Sequence, residues 1–433
     1  MPSTGEEFAR QHSFWMNEIQ HSMKTSLLHQ KEYRRKAGRN HDTKWELIMD
    51  GSAKYLLPDL MDRIRAIAPI VTRHRSESDS FRRLSQPVTD AMIDADLFRL
   101  WTPRVLGGAE ISPQDLVEVV EAASAIDGSF GWCLTNANTM GRMVGYLSPE
   151  VARNWVLGPD CQMAGSTARL GTARRVAGGF MVSGRWSFAS GIPTARRLVG
   201  LCQVDGEGDP KTPKMIFGHF DAADVTIIDT WHVSGLKGTG SNDFSIDDLF
   251  VPEDHTHGFV DATACHAGAL YCFPIVSMLT LSVSIVPLGI AKAAVEAFVA
   301  LSDRTIAGTS QPLNEREIIQ TDIARAEALR RSGKALILSA LDDLQHALAI
   351  GGQDLIEARA FFRVALAHSA EASLRAVEIL TAAAGAAAIS ENGRLERCLR
   401  DIQAAVKHVA MSPHNFVVGG QVMMGLDMTG QRF

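Results

Sequence analysis

Cysteine is scarce in this chain, and no two cysteines are paired in sequence. The 433 residues contain six cysteines, none of them in a Cys-x-x-Cys motif. This spacing argues against a disulfide framework or a structural zinc site, so we expect no metal and a reduced, cytoplasmic protein. The N-terminal sequence MPSTGEEFARQ has no apolar core, so no secretory signal is expected. His255-x-His257 and Cys265-His266 lack a second pair of ligands and are expected to be exposed loop residues.

The chain also lacks an excess of positive charge. Its formal net charge of −6 leaves no basic footprint for nucleic acid. Residues 267–291 contain no Lys, Arg, Asp or Glu, and that length could cross a bilayer. Pro274 and Pro287 interrupt this stretch, and its helical pattern continues through Lys292 and Glu296. A helix buried in a bundle explains the stretch better than a membrane span.

Hydrophobic periodicity divides the chain into four regions. Residues 1–50 are polar and look like an N-terminal extension, and residues 51–157 have the three-and-four spacing of helices. Residues 158–265 contain short β-rich runs between turn residues, which predicts an antiparallel sandwich or barrel. Residues 266–433 are alanine-rich and predict a four-helix bundle, with candidate helices at 275–306, 315–349, 353–385 and 393–425. The predicted fold class is therefore mainly α with a central β domain.

Two glycine-rich motifs in the β region could line a site. In Gly184-Arg-Trp-Ser-Phe-Ala-Ser-Gly191, Trp186 could lie flat against an aromatic cofactor and Ser190 could bring a hydroxyl to its polar edge; a turn with a core tryptophan is the alternative. Residues 235–241, Gly-Leu-Lys-Gly-Thr-Gly-Ser, match neither a P-loop nor a dinucleotide fingerprint, and a strand follows them. The remaining interpretation of this segment is a glycine-rich turn that lines a binding site.

Two helical segments carry candidate polar groups. Asp401 and the small residues Ala404 and Ala405 precede His408 at helical spacing, which predicts one face with room for a flat molecule beside a histidine. Histidine can exchange a proton near neutral pH, although a core histidine with one hydrogen bond is the alternative. The segment Asp127-Gly-Ser-Phe-Gly-Trp132 opens another helix. Asn136 and Asn138 follow it, and a helical asparagine there could hold a polar group in a cavity, with a surface or core hydrogen-bonding role as the alternative; Asn138 is the one assigned to the site.

Together these motifs resemble the acyl-CoA dehydrogenase fold, in which flavin lies between a helical domain, a β domain and a four-helix bundle. The variant they resemble most is the oxygenase component of two-component monooxygenases that use reduced flavin, such as p-hydroxyphenylacetate hydroxylase, dibenzothiophene monooxygenase and indole oxygenases. The resemblance covers nearly the whole chain from about residue 52. It rests on Pro103-x-x-Leu-Gly-Gly108, the two glycine-rich motifs, Trp231-x-x-Ser-Gly235, Val251-Pro-Glu253 and Arg400-Asp401 with His408.

The resemblance implies a chemistry and a set of partners. A separate NAD(P)H-flavin reductase would supply FMNH2 or FADH2, and O2 would react with it to give a C4a-hydroperoxide that hydroxylates an aromatic or heteroaromatic small molecule. It also implies a homotetramer. The implied catalytic residues are His408, Ser190 and Asn138.

The cofactor residues that the resemblance implies lie in several parts of the chain. Arg304 would pair with the flavin phosphate, Trp186 would pack on the flavin ring, and Ser166 would contact flavin or peroxide. The cofactor-binding residues that the resemblance implies are Trp186, Ser166, Arg304, Thr239 and Ser241.

A dehydrogenase of the same fold is the main alternative. That chemistry needs a carboxylate base, which relatives carry as a glutamate after the Arg-Asp helix. The corresponding stretch, residues 411–425, has no Glu or Asp. Glu296 on the first bundle helix is the remaining candidate base. An oxidase of this fold and a flavin-binding relative without activity also stay open.

Overall fold

The structure is a computed structural model that describes residues 55–156, 158, 161–209, 212–260, 262–266, 268–305, 311–391 and 393–426. The N-terminal extension predicted at residues 1–50 lies outside the described residues. The chain from Tyr55 onward forms one compact unit. Helices come first, strands follow, and helices return, in the order predicted, so the fold class is confirmed. The predicted domain boundaries stay predictions.

Six α-helices precede the sheet in the described residues. Asp127 begins the fifth of them: its side chain accepts hydrogen bonds from the backbone N–H groups of Ser129 (3.0 Å) and Phe130 (3.1 Å), which satisfies donors that an uncapped helix would leave unpaired. Gly131 lets this helix approach the preceding one closely, because a Cβ there would collide with Ser124. The helices are α1 Leu57–Arg73, α2 Arg75–Phe81, α3 Gln86–Asp94, α4 Pro113–Ile126, α5 Gly128–Arg142 and α6 Pro149–Trp155.

The β region is one seven-stranded sheet with the order β5-β6-β2-β1-β3-β4-β7. All neighbouring strands are antiparallel except β1 and β3, which run parallel, and this exception was not predicted. The pairing register of β1 with β3 jumps between Ser166 and Gly171, so residues 167–170 bulge out of the ladder. The strands are β1 Met163–Val176, β2 Gly179–Trp186, β3 Arg197–Asp209, β4 Thr212–Asp221, β5 Thr226–Ile228, β6 Asp243–Pro252 and β7 Thr256–Gly258.

Six more α-helices follow the sheet in the described residues, and two of the four predicted bundle helices, at 315–349 and 353–385, are single helices. The first, predicted at 275–306, is divided at Ile285. The fourth, predicted as a single helix at 393–425, is wrong: it consists of two helices separated by a 3-10 turn at Val409–Met411. Pro413 cannot continue a helix that begins before it, which explains part of the break. The helices are α7 Ile275–Ser284, α8 Val286–Leu301, α9 Glu317–Ile350, α10 Gly352–Ala384, α11 Arg394–Ala405 and α12 His414–Met423.

Buried apolar side chains form two cores. The larger core joins the N-terminal helices to the bundle and includes one face of the sheet through Val199, Leu201 and Phe217. The smaller core lies on the other face of the sheet and includes Trp186 and Phe244. The sheet is therefore held between the helical body and an apolar layer of its own.

Two helical stretches are long and apolar enough to cross a membrane by composition. In the first, Ile275–Leu301, 78% of the most apolar window is buried, as expected of a core helix. In the second, Gly352–Ile389, only 33% is buried, so this helix keeps an apolar surface of its own. Core helices of soluble proteins pass the same test, so neither stretch is strong support for a span.

Two histidines are buried where β4 and β7 meet the N-terminal helices. His219 and His257 have ring centroids 5.3 Å apart, and His257 stacks on Tyr146 at 5.0 Å. The exposed position expected for His257 is therefore wrong, because its ring fills an aromatic contact between the sheet and the helices. Burial lowers the pKa of both imidazoles, to about 4 for His257. No cluster of three or more potential metal ligands occurs in the described part of the chain.

These histidines are expected to make stability depend on pH. Their folded-state pKa lies below the unfolded value of about 6.5, so the unfolded chain binds more protons between these values. Stability is therefore complete above pH 6.5 and falls as the pH drops toward 4, by up to about 1.4 kcal/mol per pH unit for each group. Urea unfolding at pH 7.5 and pH 5 measures this loss. His257→Phe should reduce the change in the free energy of unfolding between pH 7.5 and pH 5, whereas substitution of the exposed His346 should not. An equal change in both variants would refute the role of the buried histidines.

Candidate flavin site

The predicted residues Ser190, Ser241 and Thr239 come together in a chain of hydroxyl groups. The Oγ atoms of Ser190 and Ser241 are 2.7 Å apart, and Ser241 Oγ lies 2.7 Å from Thr239 Oγ1. Thr239 donates to the carbonyl oxygen of Leu236 at 2.9 Å. All three hydroxyl residues are buried. The two glycine-rich motifs, far apart in sequence, therefore form one hydrogen-bonded unit, which we call the hydroxyl chain.

Helix α5 holds Ser190 through two side chains at i and i+4 spacing. The indole Nε1–H of Trp132 donates to Ser190 Oγ at 2.9 Å, and the amide of Asn136 donates to the backbone oxygen of Ser190 at 2.8 Å. Residues four apart lie on one helix face, so this pairing follows from the helical period. Asn136 was considered together with Asn138 but was not assigned to the site, and Trp132 was not considered as a site residue, although the four-residue spacing of Trp132 and Asn136 on a predicted helix was a usable signal.

Asn138 does not face this site. It lies two residues after Asn136, which turns its side chain to the other side of α5. Its amide oxygen accepts the N–H of Leu100 at 2.7 Å, and its nitrogen donates to the carbonyl oxygens of Leu97 (2.8 Å) and Leu134 (2.9 Å). The catalytic role predicted for Asn138 is corrected to a structural one, because these fully buried backbone groups use its hydrogen-bonding capacity.

His408 lies beside Trp132 but not on a helix. Helix α11 ends at Ala405, and His408 has extended backbone angles (φ −67°, ψ 140°). Its Nδ1 accepts the N–H of Ala410 at 3.2 Å, and this side-chain cap begins the next turn instead of extending α11. The predicted shared helix face of His408, Ala404 and Ala405 is therefore wrong. The ring nevertheless meets Trp132 edge-on, with centroids 5.9 Å apart.

The hydrogen bond at Nδ1 fixes the chemistry that His408 can offer in this orientation. Burial lowers the pKa of His408 to about 4, so the ring is neutral at pH 7. A neutral ring that accepts at Nδ1 carries its proton on Nε2. His408 therefore presents an N–H donor, whereas the sequence suggested a group that accepts or holds a substrate proton.

The bulge in β1 brings Ser166 next to the turn after β2. Ser166 Oγ donates to the carbonyl oxygen of Ser187 at 2.5 Å and accepts the N–H of Ala168 at 3.1 Å. Residues 167–170 behind it are exposed in the middle of the chain's longest strand. Bulges often re-aim strand residues near active sites, and this one leaves backbone groups of β1 accessible.

Phe188 supplies an exposed aromatic surface at the same turn. It has a left-handed φ of +64°, which is uncommon for a bulky side chain, and 62% of its surface is exposed. Ser187 Oγ donates to Asp243 at 3.2 Å and Ala189 N–H donates to Asn242 O at 3.0 Å, so hydrogen bonds on both sides hold the conformation. Its ring meets Trp231 edge-on at 6.3 Å. Strained backbone that is held in this way often marks a functional position.

Trp186 lies in the core instead of on the site surface. Its ring is fully buried and stacks on Phe244 at 4.9 Å, and its Nε1–H donates to Leu201 O at 2.9 Å. Gly171, Gly184 and Gly200 make room for the indole, since a Cβ at any of them would meet it. The role predicted for Trp186 against the flavin ring is corrected, because no face of the indole is free.

Glu296 lies on helix α8, and Arg304 lies just after the end of that helix. Arg304 is exposed in the turn that follows α8, so its predicted pairing with the flavin phosphate stays a prediction. Glu296 is half-exposed and forms an ion pair with Arg394 at 3.0 Å. This pairing gives Glu296 a structural role and provides no support for it as a dehydrogenase base.

A buried ion cluster lies behind the hydroxyl chain. Arg397 of α11 binds Asp127 at 2.9 Å, donates to Asp79 of α2 at 3.0 Å and lies 3.6 Å from Asp401. Asp401 accepts the N–H of Leu236 at 2.7 Å, which ties the cluster to the carbonyl that ends the hydroxyl chain. Burial raises the pKa of Asp401 to about 6. Burial also opposes ionisation of Asp127, but the nearby guanidinium groups hold its pKa below the ordinary value.

Comparison with known proteins places the chain among flavoenzyme-like sequences and folds. Residues 281–413 match the family described as acyl-CoA dehydrogenase, C-terminal domain. Indole-3-acetate monooxygenase of Pseudomonas putida is 28% identical over 84% of this chain and 92% of its own. The oxygenase component of FADH(2)-dependent resorcinol hydroxylase from a Rhizobium species is 29% identical over 86% and 95%. Over most of its length the chain is similar to the oxygenase components of flavin-dependent monooxygenases.

The fold of this chain is also found among solved structures. XiaF from a Streptomyces species, solved in complex with FADH2 and glycerol, superposes with a TM-score of 0.79. It is 23% identical, and the match covers 88% of this chain and 98% of that one. At this identity the likeness shows the fold alone. The chain thus has the acyl-CoA dehydrogenase fold without the glutamate expected of a dehydrogenase in residues 411–425.

Proposed function

We propose that this oxygenase component uses reduced flavin and O2 to hydroxylate a small aromatic or heteroaromatic molecule beside Ser190 and His408. The observation that carries the proposal is the contact between Trp132, Ser190 and His408. This contact joins three parts of the chain that are distant in sequence. It brings together the hydroxyl oxygen of Ser190 and the imidazole N–H of His408, with the aromatic surface that Phe188, on the same turn as Ser190, forms with Trp231. Relatives named for indole-3-acetate and resorcinol support an aromatic substrate class.

The residues present fit a flavin. A flat heterocycle needs an apolar surface for its faces and hydrogen-bonding groups for its edge. Phe188 and Trp231 offer the surface, while Ser190 keeps one unused lone pair and the bulge behind Ser166 leaves backbone groups accessible. When bound in its reduced form, flavin would activate O2 for transfer of one oxygen atom. Ser166, Thr239, Ser241 and Arg304 are the further residues that we propose to hold it.

The chain's own residues would then orient the reactants and exclude water. Trp132 and Asn136 fix Ser190, and Trp132 also fills the space beside His408, so little room remains for solvent. His408 would donate its Nε2–H to an oxygen of the substrate or of the group being transferred. The neutral ring suits a substrate that does not need a strong base, such as a neutral heteroaromatic one.

The partners follow from the same proposal. Relatives described as oxygenase components imply a separate flavin reductase, which would use NAD(P)H. Helix α10 keeps an apolar surface that another copy of the chain could cover, and Phe361, 40% exposed, lies on it. A homotetramer is the assembly that we propose. All six cysteines are free, which is consistent with a reducing cytoplasm and supports that location.

Supply of flavin by a generic reductase tests the proposed function. With NADH, flavin, O2 and a panel of indoles, phenols and fused heteroaromatics, we expect a hydroxylated product that carries one atom from 18O2. The reductase without this protein should give only hydrogen peroxide. FMN and FAD are tested separately. Reduction of bound oxidised flavin by an acyl-CoA thioester, with no labelled product, would instead establish the dehydrogenase alternative.

A further inference from the structure

Asp401 joins helix α11 to the glycine-rich segment at residues 235–241, which we call the Leu236 turn. One oxygen of the Asp401 carboxylate accepts the N–H of Leu236 at 2.7 Å. The other oxygen lies against Gly128 at the start of α5, where an added Cβ would be 3.2 Å away from it. Asp401 is buried, so its carboxylate lies where α11, the start of α5 and the Leu236 turn meet.

The Leu236 turn needs support from outside itself. Leu236 has a left-handed φ of +53°, which is uncommon for a residue other than glycine. Gly235 lies so close to α11 that an added Cβ would collide with the helix backbone. The C=O of Leu236 accepts the hydroxyl of Thr239 at 2.9 Å and the indole N–H of Trp231 at 3.2 Å. The hydrogen bond to Asp401 therefore helps to hold a strained residue and the groups that depend on its carbonyl.

Asp401 is the least tightly paired carboxylate of the buried ion cluster. It lies 3.6 Å from the guanidinium of Arg397, whereas Asp127 lies 2.9 Å from it. Burial raises the pKa of Asp401 to about 6 and the charge of Asp127 adds to the rise, although Arg397 opposes it. The carboxyl is therefore mostly ionised at pH 7.5 and mostly protonated at pH 5.

The groups that face Asp401 come from several elements. Helices α4 and α8 line the space beside it with uncharged residues. The charged or titratable side chains around it come from α2, the start of α5 and α11, and they are Arg75, Asp79, Asp127, Arg394, Arg397, Cys398 and Arg400.

A cavity of about 20 Å³ adjoins Asp401, and this volume admits one water molecule. Asp127, Arg397 and Ser124 also line it. The hydroxyl of Ser124 is buried and makes no hydrogen bond within the described residues, so the cavity offers a water a polar partner besides the charged groups. A water held there can pass a proton to Asp401 without the unfolding of α11.

We propose that Asp401 is a positioning residue for flavin: as a carboxylate it holds the Leu236 turn, and on taking up a proton it loosens the turn and weakens flavin binding. The inference rests on the proposed function, because Thr239 and Ser241 of this turn are among the residues that we propose to hold flavin. A hydrogen bond to an ionised acceptor is roughly twice as strong as one between neutral groups. A protonated Asp401 therefore gives the Leu236 N–H a weaker acceptor.

Flavin binding at two pH values tests the proposal. Dissociation constants for reduced FMN and FAD are measured anaerobically by ultrafiltration at pH 7.5 and pH 5. Asp401→Asn keeps an oxygen that can accept the Leu236 N–H, but it is uncharged like the protonated carboxyl. At pH 7.5 the variant should bind flavin about five- to tenfold more weakly than the wild type, and at pH 5 the two proteins should bind alike. Comparison of the two proteins at the same pH cancels the titration of flavin itself.

A second readout needs no flavin. The indole of Trp231 donates to the Leu236 carbonyl, so its fluorescence reports on the turn. The emission that the wild type loses in Trp231→Phe should change in a step near pH 6, and Asp401→Asn should lack this step. Glu121→Gln is the matched control, because Glu121 is also buried but pairs with Arg330 of α9 at 2.6 Å. This control should keep the step, and thermal unfolding at each pH shows that the variants are folded.

The outcomes separate this inference from the proposed function. An equal loss of flavin affinity in Asp401→Asn at both pH values is the mark of a purely structural role and overturns the inference. A fluorescence step that survives in Asp401→Asn overturns it too, as does flavin affinity equal to that of the wild type at both pH values. Labelled product in the reductase assay would leave the proposed function standing in each of these cases. Absence of flavin binding by the wild-type protein at pH 7.5 overturns both.

Discussion

Arg397→Leu is expected to lower the free energy of unfolding by about 3–5 kcal/mol. Arg397 is 9% exposed and joins Asp127 at the start of α5 to Asp79 of α2 and, more loosely, to Asp401 of its own helix. Leucine fills part of the space but leaves Asp127 with the longer Arg75 contact at 3.2 Å and Asp79 with the Arg400 contact at 3.4 Å, and this weaker pairing of buried charge is the source of the loss. Urea unfolding followed by circular dichroism measures the change.

Two further variants sharpen this expectation. Arg331 pairs with Glu327 at 2.6 Å but is 74% exposed, so Arg331→Leu should change stability by less than about 1 kcal/mol. Adding Asp127→Asn to Arg397→Leu should recover part of the loss, because asparagine can still cap α5 and carries no charge. Equal losses in the free energy of unfolding for Arg397→Leu and Arg331→Leu would show that the buried ion cluster stabilises the fold no more than an exposed ion pair does.

His408→Ala is expected to cut product formation on the order of a hundredfold while reduced flavin is still oxidised, so that hydrogen peroxide replaces product. The estimate corresponds to the loss of one oriented donor at a reacting oxygen. His408→Gln, which keeps an N–H donor, should retain more activity than His408→Ala. Product and peroxide are measured together with the generic reductase. The exposed neighbour His414 provides the control, since His414→Ala should behave as wild type.

The pH profile distinguishes a donor from a base at this position. Burial lowers the pKa of His408 to about 4, so the ring remains neutral and donates throughout the range from pH 5 to 8. Product formation should therefore show no step near pH 6.5 that depends on His408. A step there that disappears in His408→Gln would contradict the donor role and restore the proton-accepting role suggested by the sequence.

The order of helical and β regions was predictable because hydrophobic periodicity changes sharply at their borders. The structure also brings together Ser190, Thr239 and Ser241 of the two glycine-rich motifs. Trp186 could also have been placed correctly. Along β2 it alternates with Phe180 and Val182, both buried, so the two-residue period of a strand assigns it to the core face. The motif around it favoured the cofactor interpretation instead.

Other features of the site could not be predicted from local pattern. After Ala405 the chain could add another helical turn, or the Nδ1 of His408 could cap the N–H of Ala410 as it does in the structure. The spacing of apolar residues does not distinguish these two conformations. The bulge after Ser166 depends on how β1 fits against β3, which lies far along the chain. The choice between Asn136 and Asn138 required knowing which side of α5 meets the sheet.

The position of Arg397 has a consequence for how the protein is made. Helix α5 and the Leu236 turn are synthesised long before α11, and domains tend to fold as they emerge. Until the ribosome has added Arg397 and Asp401, Asp127 has Arg75 at 3.2 Å but lacks the closer guanidinium group of Arg397, and the Leu236 N–H lacks its carboxylate acceptor. The nascent helices and sheet can collapse early, but the Leu236 turn gains this last hydrogen bond only near the end of translation.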